Sequence, residues 1–160
     1  TVWGIPAYEA IAAAARDWPA DLLVVGAHEP QSQHARLTDT DWQLMRRASC
    51  PLLLVKSAAF DGYDQIVAAV EGADGGDEVV LAAGRCFARA FGSTLAVVEV
   101  GALGEAVGRR ACLVVVRAPV AAVPGELEAA AETVVNSAPC DVLLVPPRRG
   151  SKKLASSVHR

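Results

Sequence analysis

Few side chains in this sequence stand at spacings that support catalysis. The segment after the apolar run Leu22–Val25 carries His28, Glu29, His34 and Arg36. Loops beyond the carboxyl ends of parallel strands are where α/β sheets bind ligands, so these residues could contact a small polar molecule. The imidazoles would also answer to pH between about 5 and 8. Solvated surface histidines are the plainer reading. Ser49-Cys50-Pro51 sets a thiol beside a proline at a strand entrance, with no histidine close in sequence to activate it. Gly72-Ala73-Asp74-Gly75-Gly76 lies between an apolar run and a helix, where a phosphate loop would stand, but it lacks the G-x-G-x-x-G spacing and adds an acid. A flexible connection explains it. The cysteines Cys50, Cys86, Cys112 and Cys140 form no C-x-x-C pair. Three of them border or lie within apolar runs, so they read as small buried hydrophobes and not as zinc ligands or disulfide partners. No catalytic set and no metal site emerge, and the expectation is a protein that is not an enzyme.

Composition narrows the partners. The 160 residues carry a formal net charge of −3 and are 52% hydrophobic. Nucleic-acid binding needs a basic face whose lysines and arginines displace counterions from phosphate, and this balance argues against one. The one basic cluster, Arg148, Arg149, Lys152, Lys153 and Arg160, reads as a solvated tail. No run approaches the ~18 apolar residues of a spanning helix, so no membrane is expected. The first residues show no secretory signal, and the expected location is the cytoplasm.

The elements that must position these residues are legible as alternating patterns. Leu22–Val25, Leu52–Val55, Ile66–Val70, Leu95–Val100, Leu113–Val116 and Val142–Val145 are short apolar runs without polar alternation. Such runs are buried on both faces, as in a parallel sheet covered by helices. Helices are expected at Ala7–Arg16 after Pro6, at Trp42–Ala48 after the capping cluster Asp39-Thr40-Asp41, at Asp77–Phe91 before Gly92, and at Glu126–Ser137. The alternation describes a doubly wound α/β fold with a parallel sheet and helices on both faces. Trp3, Trp18 and Trp42 stand at element boundaries and are expected to close the ends of the core. Gly101–Arg110 is short for a parallel crossover.

An internal repeat stands out. Pro19-Ala20-Asp21-Leu22-Leu23-Val24-Val25 parallels Pro139-Cys140-Asp141-Val142-Leu143-Leu144-Val145, with the two aspartates 120 residues apart. An alanine-rich helix precedes each copy, opened by Ile5-Pro6 and by Val123-Pro124. Residues 1–57 read as the C-terminal part of a first unit, and residues 63–160 as a second unit without its last helix and strand.

Val2-Trp3-Gly4-Ile5-Pro6, Ala20-Asp21-Leu22-Leu23-Val24-Val25-Gly26 and Ala48-Ser49-Cys50-Pro51-Leu52-Leu53-Leu54-Val55-Lys56 resemble the universal stress protein family. Tyr63-Asp64-Gln65-Ile66-Val67-Ala68-Ala69-Val70 looks like the first strand of a second such domain. Leu37-Thr38-Asp39-Thr40-Asp41-Trp42-Gln43-Leu44-Met45-Arg46-Arg47 is most similar to the tandem E type of the family. The resemblance implies a Rossmann-like parallel sheet of five strands in the order 3-2-1-4-5. For many members it also implies ATP binding through G-x2-G-x9-G-S/T after the fourth strand and an aspartate after the first. Glycines let backbone amides turn toward phosphate, and a hydroxyl at the following helix start adds a donor.

This sequence departs from that motif. Gly26 fills the first position, but Glu29 and Asp39 fall on the later glycines, and only Thr40 fits, where a capping role would also explain it. At an effective dielectric near 20, like charges ~4 Å apart repel by about 4 kcal/mol, roughly a thousandfold in affinity. In the second unit Pro146 and Arg149 replace glycines, and Glu71 stands where the family has aspartate. Arg149, Gly150 and Ser157, with Arg148 and Lys152, could still hold an anion at a helix start.

The expectation is therefore a cytosolic, non-enzymatic stress-response protein that binds a ligand or partner and uses no ATP. The alternatives are a nucleotide-binding member with weak ATP hydrolysis, built on Glu71 and the Arg148–Ser157 segment, and a purely structural association module. The strand Leu52–Val55 is expected to pair with the second unit or with another chain, because an open apolar edge invites association. Self-association through an edge strand is the expected partner interaction.

Overall fold

The structure is a computed structural model that describes residues 4–26, 38–56, 62–71, 77–107, 112–118 and 126–147, the side chains of 105, 112 and 126–130 excepted. In chain order the elements are α1 (Ala7–Asp17), β1 (Leu23–Gly26), α2 (Asp39–Arg47), β2 (Leu52–Val55), β3 (Gln65–Val70) and α3 (Glu78–Phe91). Next come β4 (Thr94–Glu99), a 3-10 turn at Val100–Ala102 leading into α4 (Leu103–Ala106), β5 (Cys112–Arg117), α5 (Glu126–Ser137) and β6 (Asp141–Val145).

Local chemistry sets the helix ends. Pro6 caps α1, and Trp18, extended before Pro19, ends it. α2 starts three residues earlier than the sequence suggested, at Asp39 and not at Trp42. Thr38 is the N-cap of α2: its hydroxyl accepts from the Asp41 N–H at 3.3 Å, and the Asp41 carboxylate accepts from the Thr38 N–H at 2.7 Å. Thr40 lies inside the first turn and is not the cap. α3 stops at Gly92, whose φ of +67° is left-handed. Gly84 lets α3 approach the sheet closely, since a Cβ there would stand 3.1 Å from a Leu95 methyl.

The six strands form one sheet in the order β1-β2-β6-β5-β3-β4. Because the apolar runs are continuous, each strand feeds both faces. Leu52, Leu54, Val67, Ala69, Val114, Val116, Val142 and Leu144 point to the face that also receives Ala12, Leu44, Leu103, Val134 and Val135 from α1, α2, α4 and α5. Leu53, Ile66, Ala68, Leu113, Val115, Leu143 and Val145 point the other way, onto α3 through Val80 and Phe87. Helices cover both faces, as expected.

Two expectations are corrected. The sheet is mixed and not purely parallel: β1 runs parallel to β2, and β3, β4, β5 and β6 run parallel to one another, but β2 meets β6 antiparallel. The strand order is accordingly not the five-stranded 3-2-1-4-5. The second correction concerns the repeat. At the antiparallel junction Leu53 pairs with Leu143, Leu52 with Leu144 and Leu54 with Val142. That is a local two-fold relation between β2 and β6, and it equates residues 90 positions apart. The same spacing superposes the buried pair Leu44-Met45 of α2 on Val134-Val135 of α5, Ala48 on Ala138, and buried Cys50 on buried Cys140. The 120-residue register instead equates β6 with β1, which lies at the sheet edge.

The β2 edge is thus closed by β6 of the same chain. Of the cysteines described, Cys50 and Cys140, which border apolar runs, are buried, and Cys86, which borders none, is exposed. Trp18 is 83% exposed and closes no core, whereas Trp42 packs half-buried against the first core; Trp3 lies outside the described residues. A short helix does form in the segment Gly101–Arg110, at α4. Among the described residues no helix is long and apolar enough to cross a membrane.

Candidate functional site

In an open α/β sheet the natural crevice lies beyond the carboxyl ends of the strands where successive connections leave in opposite directions. Here that point falls between β3 and β5. β3 pairs with β4 on one side and β5 on the other, and β5 continues to β6. Three ionisable side chains gather there: Glu71 just after β3, Asp77 at the start of α3, and Arg117 at the end of β5.

Asp77 is the centre of the group. Its side chain is 6% exposed; one carboxylate oxygen accepts from the Glu71 N–H at 2.6 Å, and the other accepts from the Arg117 guanidinium. The position also suits a carboxylate electrostatically, since the amino end of the 14-residue α3 is the positive end of its dipole. Glu71 itself is exposed. The space left among Ala69, Glu71, Asp77, Val100, Val116, Arg117 and Ala131 is about 10 Å³. That is close to the minimum for one water. The Arg117 guanidinium and the Asp77 carboxylate, bonded to each other, take up the rest of the crevice among the described residues.

The remaining sequence-selected residues do not join this group. Gly26 ends β1 and Thr40 opens α2, so both lie at the carboxyl end of the β1-β2 pair. Because β2 and β6 are antiparallel, that end is at the opposite margin of the sheet from Glu71. Gly26 is exposed and Thr40 half-buried. Gly26 and Thr40 of the first unit therefore share no site with Glu71 of the second. His28, Glu29, Arg149, Gly150 and Ser157 lie outside the described residues. Among the described residues no group of three His, Cys, Asp or Glu side chains could hold a metal ion.

Asp77 and Arg117 were not singled out in the sequence. The available signal was an arginine closing an otherwise apolar strand, Cys112-Leu113-Val114-Val115-Val116-Arg117, 40 residues after Asp77, which reads as a helix opener.

A second polar cluster locks the antiparallel junction. Asp141, 1% exposed, accepts from the Lys56 N–H at 2.7 Å and from the Tyr63 hydroxyl at 2.8 Å. The Lys56 ammonium donates to the carbonyls of Val135 and, at 2.9 Å, Ala138, so it caps the carboxyl end of α5. Burial holds the Lys56 ammonium below its ordinary range, partly offset by the negative charges at Cys140 and Asp141. Burial, then the bond to Asp141, raises the Tyr63 hydroxyl. Burial likewise raises the Cys50 thiol, which fits an unreactive core cysteine. The bonds of this cluster join β2, β6 and α5 within the fold.

Comparison with known proteins agrees with this architecture. Residues 1–56 match the model of the universal stress protein family. No curated protein matches the chain. Two solved structures from Pseudomonas aeruginosa are similar over 91% of this chain, each with a TM-score of 0.67 and 20% identity. One is a functionally unknown protein of strain PAO1, of which 69% is covered; the other, provisionally named a universal stress protein, is from strain UCBPP-PA14 and is covered over 70%. At that identity the likeness concerns the α/β fold alone.

Proposed function

We propose that this chain is a stress-response protein of the universal stress type, akin to its tandem E form, that works by holding a ligand or partner without turnover and without ATP. The observation that carries the reading is the closure of the β3-β5 crevice by Asp77 and Arg117. A buried carboxylate stands where a polyphosphate would need donors, and it already has its partners. Calorimetry with magnesium ATP tests it: no saturable heat is expected at millimolar nucleotide. A micromolar dissociation constant would overturn it.

A second reading, an association module, is favoured by the apolar side chains at both sheet edges. Val24 on β1 is 61% exposed and Val97 on β4 is 53% exposed. With β2 closed by β6, self-association through an edge strand would use β1 or β4. Sedimentation equilibrium of the chain and of its Val24→Lys and Val97→Lys variants tests this; a concentration-dependent dimer lost in one variant is the expected signature, and a strict monomer rejects it.

A further inference from the structure

We propose that the groove between α4 and the last turns of α5 is a binding site for a small, uncharged, largely apolar molecule that presents one N–H or O–H donor. The groove has a volume of about 470 Å³, within the usual range of ligand sites, and adjoins the β3-β5 crevice at Val100, which lines both. Val100, Leu103 and Val107 form one wall, and Val134, Ala138 and Pro139 the other.

Its origin is the short crossover between β4 and β5. A helix that covers a six-residue strand must rise about 18–20 Å, as the 12-residue α5 does. α4 has four residues and rises about 6 Å. Among the described residues the sheet face beside α5 is consequently covered only in part, and Val100 and Val107 are half-exposed although they pack against the main core.

The lining defines the ligand. None of the ten residues around the groove is charged, so an ion would lose its hydration there without compensation. Polar character comes from Thr133 and Ser137, one turn apart on α5. Ser137 donates its hydroxyl proton to the Thr133 carbonyl at 2.6 Å, so what its oxygen offers a ligand is acceptor capacity. Gly101 and Gly104 add no side chains, and a Cβ at either would meet nothing within 4 Å. The α5 wall is preorganised, because the Lys56 ammonium holds the carbonyls of Val135 and Ala138.

This inference names a ligand class for the binding role proposed above and shares with it only the premise that the chain is a binder; ATP calorimetry tests the one and dye titration the other. The probe is N-phenylnaphthylamine, a neutral fused-ring compound with a single N–H. The wild-type chain should bind it saturably, one to one, with enhanced blue-shifted emission. The anionic relative anilinonaphthalenesulfonate should bind at least fivefold more weakly. Gly104→Phe, which fills the groove, should weaken the neutral dye at least tenfold while cooperative melting persists. Val24→Lys and Val97→Lys should leave it unchanged. Amide shift perturbations on dye binding should centre on 100–107 and 133–138, a measurement that holds even if Gly104→Phe misfolds. No saturable binding by the wild type, equal affinity for the anionic dye, undiminished binding by a folded Gly104→Phe, loss of binding in Val24→Lys or Val97→Lys, or perturbations centred elsewhere would each overturn the proposal.

Discussion

Leu53 and Leu143 face each other at the centre of the one antiparallel junction in the sheet, 90 residues apart in sequence and buried on the same face. Around that pair β1-β2 and β5-β6 are arranged as two halves, each a parallel strand pair, with α2 and α5 on the same side. Arg46 of α2 and Glu132 of α5 bridge the helices at 2.9 Å. Core burial at this junction, more than that half-exposed ion pair, joins the halves.

Leu143→Ala should lower unfolding free energy by about 3 kcal/mol, since a fully buried leucine leaves a cavity when truncated. Val24→Ala, at a largely exposed position, should change it by no more than about 0.5 kcal/mol. Urea denaturation of the two variants gives the comparison.

Thr38→Ala should cost about 1 kcal/mol through loss of the capping box, and Thr40→Ala a few tenths. Equal effects in urea titrations would place the cap elsewhere than Thr38.

Arg117→Met should destabilise the chain by about 3 kcal/mol, because it strands the Asp77 carboxylate in a buried position. Adding Asp77→Asn should recover part of that loss, so a double-mutant cycle would show clear coupling. Additive effects would mean that the pair is not the closure of the crevice.

The junction cluster gives a pH dependence with a definite sign. Tyr63 ionises near its ordinary ~10 in the unfolded chain but higher in the folded one, so its contribution is complete below about pH 10 and is lost as pH rises above that value. Lys56, lowered in the folded chain, acts oppositely: stability rises with pH from its folded pKa toward the ordinary ~10.4. Urea midpoints measured from neutral to strongly alkaline pH should therefore fall above about pH 10, and fall less steeply in Tyr63→Phe. An unchanged slope in that variant would exclude the tyrosine as the source.

Much of the fold was legible in the residues themselves. The apolar runs located the six strands within a residue or two, and Pro6, Gly92 and Pro139 marked element ends. The departure from the phosphate-loop pattern at Glu29 and Asp39 was also visible directly. Asp77 was seen as a helix opener only, because its partner Arg117 lies 40 positions away on a strand that otherwise looked like core. The α4-α5 groove had a fainter signal, the short stretch after Leu95–Val100, but a short crossover does not say which neighbouring helix will border the gap it leaves.

The sequence determined which segments are strands and helices, and that the strands are buried on both faces, because residue type and continuity of apolar runs act locally. Only the tertiary structure decided strand direction and order. A run that is apolar at every position has no polar face to fix its register, so it fits a parallel or an antiparallel neighbour equally well. The choice between Leu53 meeting Leu143 and β6 repeating β1 was made by packing across the whole sheet. That choice put Gly26 and Thr40 at one margin and Glu71, Asp77 and Arg117 at the other.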